Sequence, residues 1–192
     1  IKENTKNEII IKNSRFITLL YKIRSKEEIG QYLQQVKKLY PKATHYCYAY
    51  KIGENIKKTS DDGEPGGTAG MPMLNVLDKE DITNILAITI RYFGGIKLGA
   101  GGLIRAYSKS VKEALNKVSL IKLVDGIKCK LTFPYVKEKD IIKQIPEKNI
   151  LSKTYLENIT YIVLLTKDSK LLQSEEVEEL EKTYIEKETK NI

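Results

Sequence analysis

Nine of the 12 glycines fall between Gly63 and Gly102, and only Gly126 lies beyond them. Glycine marks turns and places where one backbone segment must approach another closely. The first two thirds of the chain must therefore carry two glycine-rich connections, Ser60–Gly70 and Gly94–Gly101, while the remainder is built from longer regular elements. Between the two clusters, Thr83–Phe93 has an apolar centre and reads as a buried strand.

The rest of the order follows from periodicity. Glu8–Ile11 and Arg15–Ile23 read as two strands around a turn at Asn13-Ser14. Ser25-Lys26-Glu27-Glu28 is a capping-box sequence; the helix it opens carries Ile29, Leu33, Val36 and Tyr40 at helical spacing, and Pro41 stops it. Thr44–Tyr50 alternates, with His45, Cys47 and Ala49 on one face and Tyr46, Tyr48 and Tyr50 on the other, the pattern of a strand. Pro72 suits the first turn of a short helix with Leu74 and Leu77 inward. After the second glycine loop, Leu103, Ala106, Tyr107, Ser110, Ala114, Leu115 and Val118 mark another helix.

From about Leu123 the character changes. The spacing predicts strands at Gly126–Phe133, Asn149–Leu156 and Thr160–Thr166. It also predicts a helix over Tyr135–Ile145 that ends at Pro146, and an acidic helix over Leu171–Tyr184. Tyr184–Ile192 reads as a short last strand or a tail. At 192 residues the chain is one large domain or two small ones, and this change divides it into residues 1–122 and 123–192.

Charge divides it at the same place. Residues 1–123 hold 17 Lys and 4 Arg against 12 acidic residues, net +9, whereas residues 124–192 hold 12 Lys and no Arg against 13 acidic residues, net −1. A basic first part points to an anionic partner, nucleic acid above all. Cys47 and Cys129 are far apart and form no CxxC pair, so a reducing cytoplasm is expected. One His and two distant Cys give no conventional zinc set. No apolar stretch approaches the ~20 residues of a membrane span, so no membrane is expected as a partner.

Three groups of residues can carry chemistry. In the strand–loop–helix segment Arg91–Tyr107, glycines Gly99, Gly101 and Gly102 stand at a helix start, where unpaired N–H groups and the helix dipole favour anions. Arg91, Lys97 and Arg105 flank it. Neither a Walker A loop nor a dinucleotide fingerprint is present, since Ala100-Gly101 stand where Lys-Ser/Thr is needed and Ile104 where the last glycine belongs. Arg105, Lys109 and Lys112 then share one face of the helix, as a track along a phosphate backbone would require. The glycines also suit a tight turn, and the cations also suit an ordinary solvated face.

The second group is Asp61, Asp62 and Glu64. Three carboxylates within four residues can hold a hard cation, act as acid and base, or pair with Arg91 and Arg105 to tie the two loops together. The third is His45 with Cys47, which share a strand face as a nucleophile pair would and equally as packing residues do. Tyr46, Tyr48 and Tyr50 form a stacking surface for bases if they are exposed.

Together, Ser60-Asp61-Asp62-Gly63-Glu64-Pro65-Gly66-Gly67-Thr68-Ala69-Gly70-Met71-Pro72 and Arg91-Tyr92-Phe93-Gly94-Gly95-Ile96-Lys97-Leu98-Gly99-Ala100-Gly101-Gly102-Leu103-Ile104-Arg105-Ala106-Tyr107 resemble the signature of the YigZ/IMPACT family, as does His45-x-Cys47-x-Ala49. Asp61, Asp62, Gly63, Glu64, Pro65, Gly67, Thr68 and Gly70 carry the first loop's share of that resemblance. It covers about residues 1–120 with specific motifs and continues more weakly through the rest. It implies an α+β protein: an N-terminal ribosomal protein S5 domain 2-like α/β domain, then a small ferredoxin-like domain similar to the last domain of translocating elongation factors. It further implies translation control, with RNA or the ribosome as partner and a possible protein partner. No catalytic residue, metal or cofactor is implied. The expected function is thus a non-enzymatic RNA- or ribosome-associated protein. The rivals are an enzyme acting on a phosphorylated small molecule in a cleft between the two loops, and a protein–protein adaptor docking through the acidic helix or the C-terminal sheet.

Overall fold

Two residues set the N-terminal hairpin. Lys12 and Asn13 both adopt positive φ, 45° and 62°, the two-residue turn whose twist matches that of the strands it joins. It links β1 (Thr5–Ile11) to β2 (Ser14–Lys22) with Ile11 opposite Ser14. The computed structural model describes residues 1–187, in two compact units that divide between Leu120 and Ile121.

In the first unit, β1 and β2 are followed by α1 (Glu27–Leu39), β3 (His45–Ile52), β4 (Ile56–Ser60), α2 (Gly70–Lys79), β5 (Ile85–Tyr92) and α3 (Ala100–Leu115). The five strands form one sheet in the order β1-β2-β5-β3-β4, antiparallel at every pairing. At the start of α1, the Glu28 carboxylate reaches back to the backbone N–H of Arg24 and Ser25 at 2.7 and 2.9 Å, so the expected glutamate does satisfy leading amides. The β3–β4 hairpin is an element the periodicity does not announce, because β4 is mostly exposed.

Strand β5 is central and lies buried almost throughout, as a strand covered on both faces must. Its Ala87, with Phe16, Leu20, Cys47 and Ala49 of neighbouring strands, packs against Met73 and Leu77 of α2 and Leu103, Tyr107 and Val111 of α3. Its Leu86, Ile88 and Ile90, with Ile17, Leu19 and Tyr21, pack against Ile29 and Val36 of α1. Truncating a fully buried side chain such as Phe16 would cost about 3–5 kcal/mol. Tyr46, Tyr48 and Tyr50 belong to this second layer and pack against it, so they do not form the open stacking surface that alternation allows. Buried hydroxyls of Thr18, Thr89 and Ser110 bond one another across the sheet–α3 interface, which meets the requirement that buried polar groups be partnered.

The second unit contains β6 (Lys122–Phe133), α4 (Glu138–Ile142), β7 (Ile150–Tyr155), β8 (Ile159–Thr166) and β9 (Val177–Lys187), in the order β7-β8-β6-β9. Cys129, Leu131, Phe133, Ile159, Tyr161, Val163 and Leu165 form one face of this sheet and close on Ile141 and Ile145. The expected helix over Tyr135–Ile145 is shorter: a 3₁₀ turn, Tyr135–Lys137, leads into α4.

The acidic helix expected over Leu171–Tyr184 is not formed. Lys170–Gln173 is a 3₁₀ turn and Val177–Lys187 is an edge strand. The glutamates that suggest a solvated helix face are used across strands instead. Lys128 stands opposite Glu181 and Lys130 opposite Glu178, with ion pairs of 2.9 and 3.4 Å, while Ile185 turns into the core. Pairing with β6 satisfies the backbone and these charges together, so tertiary context overrides local propensity. Residues 188–192 of the expected last strand or tail lie outside the described residues. Among the described residues no helix is long and apolar enough to cross a membrane.

Candidate functional site

Both β4 and β5 run antiparallel to β3, so they point the same way and deliver their two following loops to one end of the sheet. The β1–β2 turn and the start of β3 lie at that same end by the registers of Arg15 with Tyr92 and His45 with Arg91. Topology alone thus brings together residues 12–16, 44–47, 61–69 and 91–99, together with the start of α3.

Glu64 is the centre of this convergence. It is buried, accepts from Arg91 Nη1 and from the Tyr107 hydroxyl, each at 2.7 Å, and has His45 Nε2 at 3.7 Å from its second oxygen. Arg91 is buried as well; its Nη2 reaches Ser14 Oγ at 3.4 Å, and its guanidinium lies 5.5 and 5.4 Å from the ring centres of Phe16 and Phe93. Its Nε is the one buried side-chain polar atom without a hydrogen-bond partner among the described residues. The expectation that Arg91 stands beside an anion at the glycine loop is not met. It neutralises Glu64 instead, because a guanidinium on the covered face of a central strand must be paired within the fold.

The other two carboxylates are engaged by backbone. Asp61 accepts from Gly67, Ala69 and Gly70 N–H at 2.8, 3.0 and 2.8 Å, which fixes the loop and caps the start of α2. Burial alone would raise its pKa, but those three N–H groups outweigh burial and hold it below its ordinary value. Asp62 Oδ2 accepts from Tyr46 N–H at 2.6 Å. Among the described residues no group of three or more His, Cys, Asp or Glu side chains is arranged to hold a metal ion.

His45 and Cys47 share a face, as expected, but act separately. His45 directs Nδ1 to the Asp62 carbonyl at 2.8 Å. The buried Cys47 thiol donates to the Asp61 carbonyl at 2.9 Å and lies 3.3 Å from the Tyr107 hydroxyl. Burial pushes its pKa up to about 12, with the charges of Glu64, Asp62 and Asp61 adding to the rise. A thiol so protonated is not a nucleophile at neutral pH, which removes the nucleophile-pair reading.

The helix tip is different. Gly99, at φ 71°, opens α3 without a side-chain cap, a backbone conformation that favours glycine. Leu103 N–H bonds the Gly99 carbonyl, whereas the N–H groups of Ala100, Gly101 and Gly102 have no partner among the described residues. A Cβ added at Gly101 would stand 3.5 Å from Arg105 Nη1, so that guanidinium folds back onto the first turn. Lys97, Arg105, Lys109 and Lys112 are all exposed. The structure therefore separates the sequence's cations into one interior arginine and an outer row along α3.

Two members of the interior cluster are not assigned these roles by the sequence pattern. Tyr107 reads as an apolar helix position, although a tyrosine in a buried stripe needs a partner for its hydroxyl. Glu64 reads as one of three equivalent carboxylates. A buried hydroxyl that must find an acceptor, beside a buried arginine that must find an anion, is the signal for one interior carboxylate serving both.

The family model described as the Impact N-terminal domain matches residues 12–115. The chain is 52% identical over 124 residues to the IMPACT family member YvyE of Bacillus subtilis, covering 64% of this chain and 57% of that protein. It is 38% identical over 160 residues to an IMPACT family member of Haemophilus influenzae, covering 80% of this chain and 77% of that protein. A crystal structure titled as that of a hypothetical protein shares its fold with a TM-score of 0.68 at 29% identity, over 93% of this chain and 94% of that one.

Proposed function

The chain belongs to the IMPACT family, and from that premise we propose that it is a non-enzymatic binding protein of translation that contacts RNA or the ribosome through the exposed tip and basic face of α3. The observation that carries this reading is the uncapped first turn. Three amides with no partner among the described residues and the Arg105 guanidinium occupy one spot, which is the arrangement that receives a phosphate oxygen. Lys97, Lys109 and Lys112 extend the positive surface from it.

The carboxylates support the non-enzymatic side. Glu64 is tied to Arg91 and Tyr107, and Asp61 to three loop amides, so two of the three serve the fold, and Asp62, with one oxygen on Tyr46 N–H, does not join them in a group arranged to hold a cation among the described residues. The family resemblance favours a ribosomal protein S5 domain 2-like first unit. It favours a ferredoxin-like second unit in which the second helix is reduced to a single 3₁₀ turn.

The test is the dependence of RNA affinity on salt. Removing one cation that neutralises a phosphate should flatten the slope of log K against log[salt] by about 0.7–0.9. Arg105→Ala with Lys109→Ala should flatten it by about 1.4–1.8. A slope equal to that of the unmodified protein would remove α3 from the interface.

A further inference from the structure

With the tyrosine face of β3 packed against the core, Phe93 is the one exposed aromatic among the described residues of the first unit, on the loop that leads to the basic tip. Phe93 follows directly on β5, and 46% of its surface is exposed. Its backbone is held on two sides. Its own N–H donates to Thr44 Oγ1 at 3.0 Å, and the N–H of Gly94 donates to Ser14 Oγ at 3.2 Å. Gly94 is seated so tightly on the Asn13 backbone that a Cβ there would lie 2.1 Å from the Asn13 carbonyl carbon. The ring lies against the Arg91 guanidinium at 5.4 Å. That guanidinium is itself immobilised by Glu64, and on its way to Phe93 it also meets Phe16.

An exposed aromatic is ordinarily a cost, since apolar surface is left in water. Here the interior ion pair and two backbone hydrogen bonds position the ring rather than bury it. The loop that carries Phe93 also carries Lys97 and ends at Gly99, six residues on. At the maximum extension of a chain, ~3.3–3.6 Å per residue, the Phe93 backbone is thus within about 20–22 Å of the uncapped tip. A stacking surface beside an electropositive groove is how unpaired nucleic acid is held, because every base has a π-face and every linkage a phosphate. A duplex, whose bases are already stacked, has no face to offer the ring.

We infer that Phe93 is a stacking platform for an unpaired base, so that the nucleic acid this surface prefers is single-stranded RNA. The inference rests on the reading of α3 as the phosphate contact and adds to it the strandedness of the ligand. The Arg91–Glu64 pair, though it touches no phosphate, is then the support that holds the platform in place.

The experiment uses the full chain, an unstructured oligouridylate and a perfect RNA duplex, each titrated across a range of salt. Phe93→Ala and Phe93→Leu should both weaken binding of the single strand by about 5- to 150-fold, the span expected when one base–aromatic stack is removed. Both should leave the salt slope and the duplex affinity as they were. Phe93→Leu keeps the apolar volume, so its melting temperature separates loss of the ring from loss of the fold. The chain contains no tryptophan, so Phe93→Trp supplies a unique fluorophore that should retain affinity and be quenched by oligouridylate. Three outcomes overturn the inference. If both variants bind the single strand as the unmodified protein does, with an unquenched Trp and a normal slope, the platform is wrong and the α3 reading stands. If strand and duplex weaken alike, Phe93 shapes the loop and stacks on nothing. If the unmodified protein binds neither RNA at low salt, the platform and the α3 reading fall together.

Discussion

Replacing Glu64 by Gln tests the idea that one interior ion pair ties the two glycine loops together. The substitution keeps the volume and leaves a carbonyl for the Tyr107 hydroxyl, but it removes the charge that Arg91 faces at 2.7 Å. Both side chains are almost wholly buried, at 6% and 3% exposure, so the remaining guanidinium is an uncompensated interior charge. It cannot shed its proton. Breaking such a pair from one side costs about 3–5 kcal/mol, a large part of the ~5–15 kcal/mol that stabilises an ordinary domain. At about 1.36 kcal/mol per decade this is a rise of about 10²- to 10⁴-fold in the population of the opened first unit. The cysteines provide the assay, since Cys47 is buried in the first unit and Cys129 in the second. Alkylation followed by mass spectrometry then reports the opening of each separately. Glu64→Gln should accelerate labelling of Cys47 by that factor and leave Cys129 unchanged. Arg91→Met should cost less, because a stranded carboxyl can neutralise itself by taking up a proton. Glu64→Leu with Arg91→Met should recover most of the stability, short of the ~1–3 kcal/mol for the orphaned Tyr107 hydroxyl, which Tyr107→Phe removes. A Cys47 rate unchanged by Glu64→Gln would refute the claim that this pair closes the site.

Two further outcomes follow from the loops. Asp61 is held below its ordinary value of 3.8 by the loop amides, so its contribution is present above that pH and lost as pH falls through the lower folded value. Asp61→Ala should therefore lower stability at neutral pH by about 0.5–2 kcal/mol, and the urea midpoints of the two proteins should converge as the pH is taken well below 3.8; a gap independent of pH would count against the carboxylate. Gly94→Ala forces a Cβ to within 2.5 Å of three backbone atoms, whereas at Gly66 nothing lies within 4 Å and φ is not positive. The first should lower the melting temperature by the equivalent of about 1–3 kcal/mol or more, and the second should leave it unchanged or raise it slightly; equal melting temperatures would show that the β1–β2 turn does not seat the second loop.

Much of the first unit is legible because its signals are local. The alternation in β3, the capping glutamate of α1, the apolar centre of β5 and the glycine loops each specify an element within a short stretch of chain. β9 is not legible, because Val177–Lys187 acquires its meaning only from β6. The run of glutamates has good helix propensity and its apolar residues fall near helical spacing. What decides the outcome lies far earlier in the chain: the β6 ladder satisfies the backbone of Val177–Lys187 and buries Ile185, and it places Lys128 and Lys130 opposite two of the glutamates. A charge pattern that looks like a solvated face by itself becomes half of a cross-strand ladder once its partner is known.

The same argument explains why the basic site is legible only in part. Arg91 and Arg105 stand 14 positions apart on either side of one glycine loop, and nothing local distinguishes them. Their parity does. Arg91 shares the β5 face of Ile85, Ala87 and Thr89, all fully buried, so its charge must be answered from inside. Arg105 lies off the apolar stripe of α3 and stays in solvent. A cation paired in the interior serves the packing of the loop, whereas a cation left in solvent adds to the positive field of the surface. The two meet through Glu64, which accepts from Arg91 of β5 and from Tyr107 of α3 at 2.7 Å each, so the carboxylate that answers the interior charge also ties the first loop to the helix that carries the outer one.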